Sequence, residues 1–357
     1  MSKTTSPLWS ELDFDSQASY QLEIAESYTG ISIRLPFLVW KGVTEGPTIF
    51  ISGAVHGDEI NGSGCIRELI TQAPFELQSG TLVLVPVVNI QGFERQTRYM
   101  PDRRDLNRYF PGARTGSLTS RLADVFFSEI VNHCDFGIDL HSASVRRTNF
   151  PHIRADMKNR DCAFLAEAFG TEIIINGSGP EGSLRREATE HSCPTIVLEA
   201  GEVWKVETSY VETAHRGISN ILKKLKMIDG ELFLAEYQLI SDSSKWLRAQ
   251  SGGFLQFHVS PGEPITKGQK ISTNTDLLGR ETGSIISPYN GIVIGMTTIP
   301  TVAPGDPVVH IVLSSKSEKE ELEAYVDNVD EQSLENRTRD DMATNIHITE
   351  DKEDLYG

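Results

Sequence analysis

Apolar residues fall along this chain in short blocks of two kinds. Runs rich in Val, Ile, Leu and Phe predict strands at residues 31–42 (ISIRLPFLVWKG) and 47–55, divided by the turn signal TEGP. TLVLVPVVNIQGF, FGIDLHSA, TEIIIN and TIVLEAG continue the series. The start of TLVLVPVVNIQGF is apolar on both faces, as suits a central strand covered on both sides. Helical spacing separates these runs: Ile66, Leu69 and Ile70 within 60–72, SLTSRLADVFFSEIVNH with Ser117 as a candidate N-cap, and segments near 160–169, 183–191 and 208–227. A long polar loop, 94–116, interrupts the pattern. Strands alternating with helices predict an α/β layered domain over residues 1–235. The pattern does not fix strand order or direction.

Beyond residue 235 the period changes. Short strands cut by Pro-Gly and Asn-Gly turns predict a small all-β unit, a barrel or sandwich, over 236–315. It resembles the biotinyl/lipoyl-like hammerhead domain, which displays a modified Lys on its middle hairpin. Here that hairpin, TNTDLLGRETGS, has no Lys, so a packing or gating role is expected instead. Residues 316–357 read as an acidic tail, mobile in part, with ELEAYVDNVDEQSLENR as a short helix.

Charge sharpens this division. From Ser314 to Gly357 there are 14 Asp/Glu against 5 Lys/Arg, so more than half of the net −17 sits in the tail. The acidic balance argues against a nucleic-acid or membrane partner. It leaves room for a small anionic substrate in a local pocket of Arg. Cys65, Cys134, Cys162 and Cys193 form no CxxC pair and read as reduced, buried thiols. No apolar leader or long apolar run occurs, so a cytoplasmic protein is expected. Whether it assembles as a homo-oligomer is left open.

The candidate chemistry begins at GAVHGDEING, residues 53–62, where a strand run ends. His56 and Glu59 are three apart and can face the same way, which suits a borderline metal such as Zn²⁺. Taken alone, the spacing is a weak signal, and a surface His beside acids is its usual explanation. His141, at the end of FGIDLHSA, offers a third ligand where open α/β sheets place their sites. Asp139, two residues earlier, is on the same face of that strand and could orient the imidazole. A His₂Glu set leaves an open position, as hydrolytic zinc sites do. Glu199, ending TIVLEAG, is the candidate general base, with Glu202 second. Asp58 is expected to support the ligands or to cap the following helix. The glycines at 53, 57 and 62 are expected to let the backbone turn tightly. RQTRYMPDRRDLNRYFPG is locally basic and could bind a carboxylate or an oxyanion, or pair with Asp102 and Asp105 as a solvated loop.

GAVHGDEING, TRYMPDRRDLNRYFPG, DLHS and LEAGE, in that order over about 45–230, resemble the succinylglutamate desuccinylase/aspartoacylase family of the zinc carboxypeptidase superfamily. The resemblance implies a mixed central sheet flanked by helices, followed by a small β domain. It implies one Zn²⁺ per chain on His56, Glu59 and His141, with Glu199 as general base. It further implies Arg98 polarising the scissile carbonyl and Asn107 with Arg108 holding the substrate carboxylate. Arg185 and Arg186, in GSLRREA, are candidates for a further carboxylate contact. The implied reaction hydrolyses an N-acyl amino acid. No counterpart is found for the extra substrate-binding Tyr of animal aspartoacylases, so the acyl group is not carried over. Two alternatives stand beside this: a metallocarboxypeptidase trimming peptides or cell-wall fragments, and a non-catalytic carboxylate-binding protein.

Overall fold

The computed structural model describes residues 6–27 and 29–349. Its larger sheet is built from β1 (Ser16–Glu26), β2 (Ser32–Lys41), β3 (Thr44–Gly53), β4 (Ser79–Val85), β5 (Phe136–His141), β6 (Arg147–Ala155), β7 (Ile173–Asn176), β8 (Thr195–Gly201) and β9 (Leu239–Ser241), and it is continued by strands from the C-terminal part. Six helices accompany them: α1 (Asn61–Gln72), α2 (Ile90–Glu94), α3 (Leu118–Glu129), α4 (Arg160–Phe169), α5 (Leu184–Glu190) and α6 (Thr208–Lys224). The sheet is mixed. β4, β3, β5 and β8 run parallel side by side, while β1, β2 and β6 add antiparallel neighbours.

The two-residue period of each central strand sorts its side chains into two cores. Ile49, Ile51, Leu82, Leu84, Ile138, Leu140, Ile196 and Leu198 meet α1, α4 and α6 on one face. Phe50, Val83 and Val85 meet Leu122 and Phe126 of α3 and Leu184 of α5 on the other. Gly137 lets this second layer close, because a Cβ there would lie 2.3 Å from the Phe50 ring. Ser117 caps α3 as expected, accepting from the Ser120 amide.

Two strands escape the hydropathy pattern. β1 is an edge strand with an alternating, largely exposed sequence. β6, RTNFPHIRA, carries Pro151 where a strand run would be broken. The proline coincides with a bulge: Asn149 pairs with Gly201, yet His152 pairs with Glu199, which leaves one extra residue on β6.

The unit expected at 236–315 contributes β10 (Ser244–Arg248), β11 (Gly253–Phe257), β12 (Pro264–Ile265), β13 (Lys270–Thr275), β14 (Glu281–Ile286), β15 (Gly291–Thr297), β16 (Thr301–Val302) and β17 (Pro307–Leu313). Four of them, in the order β14-β13-β11-β16, form a separate sheet. β15 pairs antiparallel with β6, so the main sheet runs on through β15, β17 and β10. The change of composition at residue 236 is therefore not a break in the hydrogen bonding.

Within the acidic segment, where one short helix was expected, two form: α7 (Lys316–Asn328), opened by a Ser315–Glu318 capping box, and α8 (Leu334–Thr344). Leu322 and Met342 are buried against Phe150 and Ile173. Arg216–Glu335 at 2.6 Å and Arg339–Glu172 at 2.7 Å join α8 to the α/β part, the second pair almost wholly out of solvent. Its charge faces water while a few apolar residues anchor it, an arrangement composition alone does not reveal. Residues 350–357 of that tail lie outside the described residues. No described helix is long and apolar enough to cross a membrane.

Candidate metal centre and substrate pocket

β3, β5 and β8 all end at the same edge of the sheet, and the candidate residues collect there. His56 and Glu59 follow β3, His141 ends β5, and Glu199 lies opposite His141 in the β5–β8 register. His56, Glu59 and His141 are buried, and one ligand atom from each lies within 4.8 Å of the others. Both imidazoles offer Nδ1 to the centre: His56 Nδ1 is 2.6 Å from Glu59 Oε1 and His141 Nδ1 is 2.8 Å from Glu59 Oε2. Their outer nitrogens meet carboxylates. His141 Nε2 is 2.7 Å from Asp139 Oδ2, and His56 Nε2 is 3.1 Å from Asp105 Oδ1. Asp139 is fixed in turn by the Ser52 hydroxyl at 2.7 Å, and Asp105 by Arg98 at 2.9 Å.

The electrostatics follow from this packing. Burial alone would raise the Glu59 pKa, but the two imidazoles hold it well below the carboxylate range. Burial alone would lower His141, and the adjoining Asp139 and Glu59 raise it instead. Asp105 likewise resists burial and is held low by hydrogen bonding and charge from His56 and Arg98. An ionised carboxylate flanked by two imidazoles, each backed by a further carboxylate, is a donor set that fits a divalent metal of the zinc type.

Beside the centre lies a cavity of ≈ 310 Å³. Arg98, Asn107, Arg108, Arg185 and Glu199 all line it, together with the three candidate ligands. Glu199 Oε2 accepts from Asn149 Nδ2 at 3.0 Å, and Arg154 Nε stands 3.5 Å from Oε1. Glu202, the second choice for base, does not line the cavity and pairs with Lys205 at 3.0 Å. Arg186 pairs with Glu190 at 2.8 Å outside it. Arg98 also donates to Glu59 at 3.2 Å. Asn107 Oδ1 accepts from the Leu184 amide at 2.8 Å, which ties the Arg-rich loop to the start of α5 and so to Arg185.

Two expectations need correction. Asp58 does not cap α1, whose N-cap, Ile60, has no side-chain hydrogen bond. Asp58 Oδ1 is buried without a hydrogen-bond partner, and burial followed by the Glu59 charge raises its pKa. The glycines of the bend serve close packing rather than unusual torsion. A Cβ on Gly57 would lie 2.0 Å from Gly92 C, and one on Gly62 2.6 Å from Leu140 Cβ, while the positive φ in this bend belongs to Ala54, at 47°.

Sequence reading missed several residues that line the cavity. Arg147, Asn149 and Arg154 come from β6, and Trp246 and His310 from β10 and β17. Asn149 and Arg154 are five apart and would face opposite ways on a regular strand. The bulge restores them to one side. The alternation in RTNFPHIRA was the available signal, masked by its proline. Asp105 was read only as an ion-pair partner.

This geometry suits attack on a small amide, and comparison with known proteins makes the class specific. The family model for the succinylglutamate desuccinylase/aspartoacylase catalytic domain matches residues 45–225, and the chain belongs to that family. It is thus among hydrolases of the amide bond of N-acyl amino acids. The N-alpha-acetyl-L-2,4-diaminobutyric acid deacetylase of Halomonas elongata is 28% identical over 258 residues, 69% of this chain and 75% of that protein. Among solved structures, the product-bound ectoine utilization protein EutE (DoeB) of Ruegeria pomeroyi superposes with a TM-score of 0.74 at 23% identity, covering 88% of this chain and all of that one. A succinylglutamate desuccinylase/aspartoacylase of Rhodobacter sphaeroides gives 0.72 at 24% identity, over 85% and 98% of the two chains. At these identities the structural likeness speaks for the fold.

Proposed function

We propose that this chain is a zinc-dependent deacylase that hydrolyses the amide of a small anionic N-acyl amino acid. The observation that carries the reading is the convergence of His56, Glu59 and His141 beside Glu199 and Arg98 in one small cavity. His56, Glu59 and His141 would hold the metal, which when bound supplies Lewis acidity and a nucleophile at neutral pH. Asp139 and Asp105 orient the two imidazoles through their outer nitrogens. Glu199 takes a proton from the attacking water and returns it to the departing nitrogen as the C–N bond breaks, giving a carboxylate and a free amino acid. Arg98 stabilises negative charge developing on the carbonyl oxygen. Asn107 and Arg108 bind the substrate α-carboxylate, and Arg185 offers a further guanidinium.

The cavity favours this reading over a peptidase. At ≈ 310 Å³ it lies at the low end of the about 300–1,000 Å³ typical of small-molecule pockets, and Trp246 and His310 stand at its wall. The test is a hydrolysis screen of N-acetyl and N-succinyl amino acids and dipeptides with zinc-loaded protein, paired with metal analysis. Stoichiometric zinc and turnover of an N-acyl amino acid, both lost in His56→Ala, are expected. Absence of bound zinc after reconstitution, or activity unchanged in His56→Ala, would sink the proposal.

A further inference from the structure

The Glu199 side chain is held from a neighbouring strand. β6 lies between β8, which carries Glu199, and β15, which belongs to the C-terminal β unit. In that register Asn149 of β6 stands between two glycines, Gly201 on β8 and Gly295 on β15. Glu199 is its diagonal neighbour, two residues back along β8, a separation that cross-strand side chains can span. Asn149 Nδ2 spans it and donates to Glu199 Oε2 at 3.0 Å. The other oxygen, Oε1, faces Arg154 Nε at 3.5 Å, longer than a hydrogen bond.

The C-terminal unit makes room for that contact. A Cβ on Gly295 would lie 2.9 Å from Asn149 Oδ1 and 3.2 Å from the Thr148 carbonyl oxygen. Gly295 does not have a positive φ, so a glycine is needed there for space and not for torsion. The Asn149 amide thus packs beside the bare backbone of β15. That stretch of β15 is itself well anchored. Met296 and Thr297 pair with Thr148 and Arg147, and the Thr297 hydroxyl donates to the Arg146 carbonyl at 3.2 Å. On its other edge β15 pairs with β17, with a register shift between Val293 and Gly295.

We propose that Asn149 is a positioning residue for the general base, and that Gly295 is the point at which the C-terminal β unit sets it. The inference rests on the reading of Glu199 as base, and it gives the C-terminal unit a part in the reaction. The last torsion of a glutamate is broad, so an unsupported carboxylate samples many planes. One hydrogen bond at Oε2 fixes the plane. It leaves Oε1 to take the proton from the attacking water and pass it to the departing nitrogen. Because the donor is carried on β6 and packed against β15, turnover depends on the pairing of these two strands.

The test uses zinc-loaded full-length protein and the best substrate from the screen of N-acetyl and N-succinyl amino acids. Asn149→Ala should lower kcat about 10–100-fold, with KM within about twofold and zinc content unchanged. Asn149→Asp, the same shape without the donor, should lose as much and serves where the alanine variant is unstable. In a Glu199→Gln background either substitution should change kcat by less than about twofold, because no base is left to aim. Gly295→Ala should cost about tenfold alone and nothing further beside Asn149→Ala, where the clashing amide is gone. Equal losses with and without Glu199, or a raised KM at unchanged kcat, overturn the inference while the deacylase reading stands. If Glu199→Gln leaves kcat unchanged, or none of these substrates is hydrolysed, that reading fails instead, and crystal structures of Asn149→Ala and Gly295→Ala decide the positioning. A Glu199 carboxylate turned out of its plane supports it, and one unmoved in both overturns it.

Discussion

The two sides of the cavity solve opposite problems. On the side of the proposed metal ligands each imidazole nitrogen has a carboxylate oxygen, and those carboxylates are braced by Ser52, Arg98 and the Ser142 amide. On the arginine side, Arg185 Nη1 is buried without an acceptor, Arg154 Nε has only a 3.5 Å ion pair to Glu199, and like charges adjoin. A satisfied network is rigid and presents its donor atoms in place, which is what holding a metal needs. An unsatisfied one stores a deficit that an anion relieves on binding. Geometry is thus invested at one side and affinity at the other.

Breaking the boundary between the sides should have the largest effect. Glu199→Gln keeps the shape and the Asn149 contact but removes the proposed base, so kcat should fall about 10²–10⁴-fold with zinc content unchanged. Steady-state kinetics beside metal analysis checks this, and a KM effect alone would contradict it. Next comes the satisfied side. Asp105→Asn and Asp139→Asn should each weaken zinc affinity about 10–100-fold, measured by chelator competition. Asp58→Asn should not, since its side chain touches neither imidazole by hydrogen bond.

The unsatisfied side should respond differently. Arg185→Leu is expected to raise substrate KM about tenfold, yet to leave stability to urea within about 1 kcal/mol, because it deletes a buried charge that lacks full pairing. A large loss of stability would show that the guanidinium is structural. The smallest effect concerns pH. In the unfolded chain His310 takes up a proton near 6.5, whereas burial, with Arg154 and Arg147, keeps the folded side chain neutral down to about 3. Unfolded chains then bind more protons, so stability falls as pH drops below about 6.5. His152, also buried and close to Arg154, is pushed the same way. Urea midpoints for His310→Gln should be less sensitive between pH 7 and pH 5, by about 1–2 kcal/mol.

How much of this was legible in the sequence depended on how local the signal was. Central strands were plain because burial on both faces makes them continuously apolar. The helix starts were plain from their periodicity, with Ser117 marking one. His56, Glu59, His141 and Glu199 were legible because each sits at or just past a strand end. Asp105 was not, because nothing in DRRDLNR tells which acid turns inward. β6 was missed because Pro151 sits inside it, and with β6 went Arg147, Asn149 and Arg154. Trp246 and His310 could not be assigned from a β-rich stretch whose pairing to β6, through β15, is a long-range fact.

The extra residue beside Pro151 makes β6 a strand with an adjustable phase. Everything after it is rotated half a turn relative to a regular strand, so Arg154 faces the cavity and Ile153 the hydrophobic core. Inserting one residue after His152 without a second bulge would exchange them, and would withdraw Arg154 from Glu199. The lining of the cavity beside Glu199 is therefore set by a length of chain as much as by its composition.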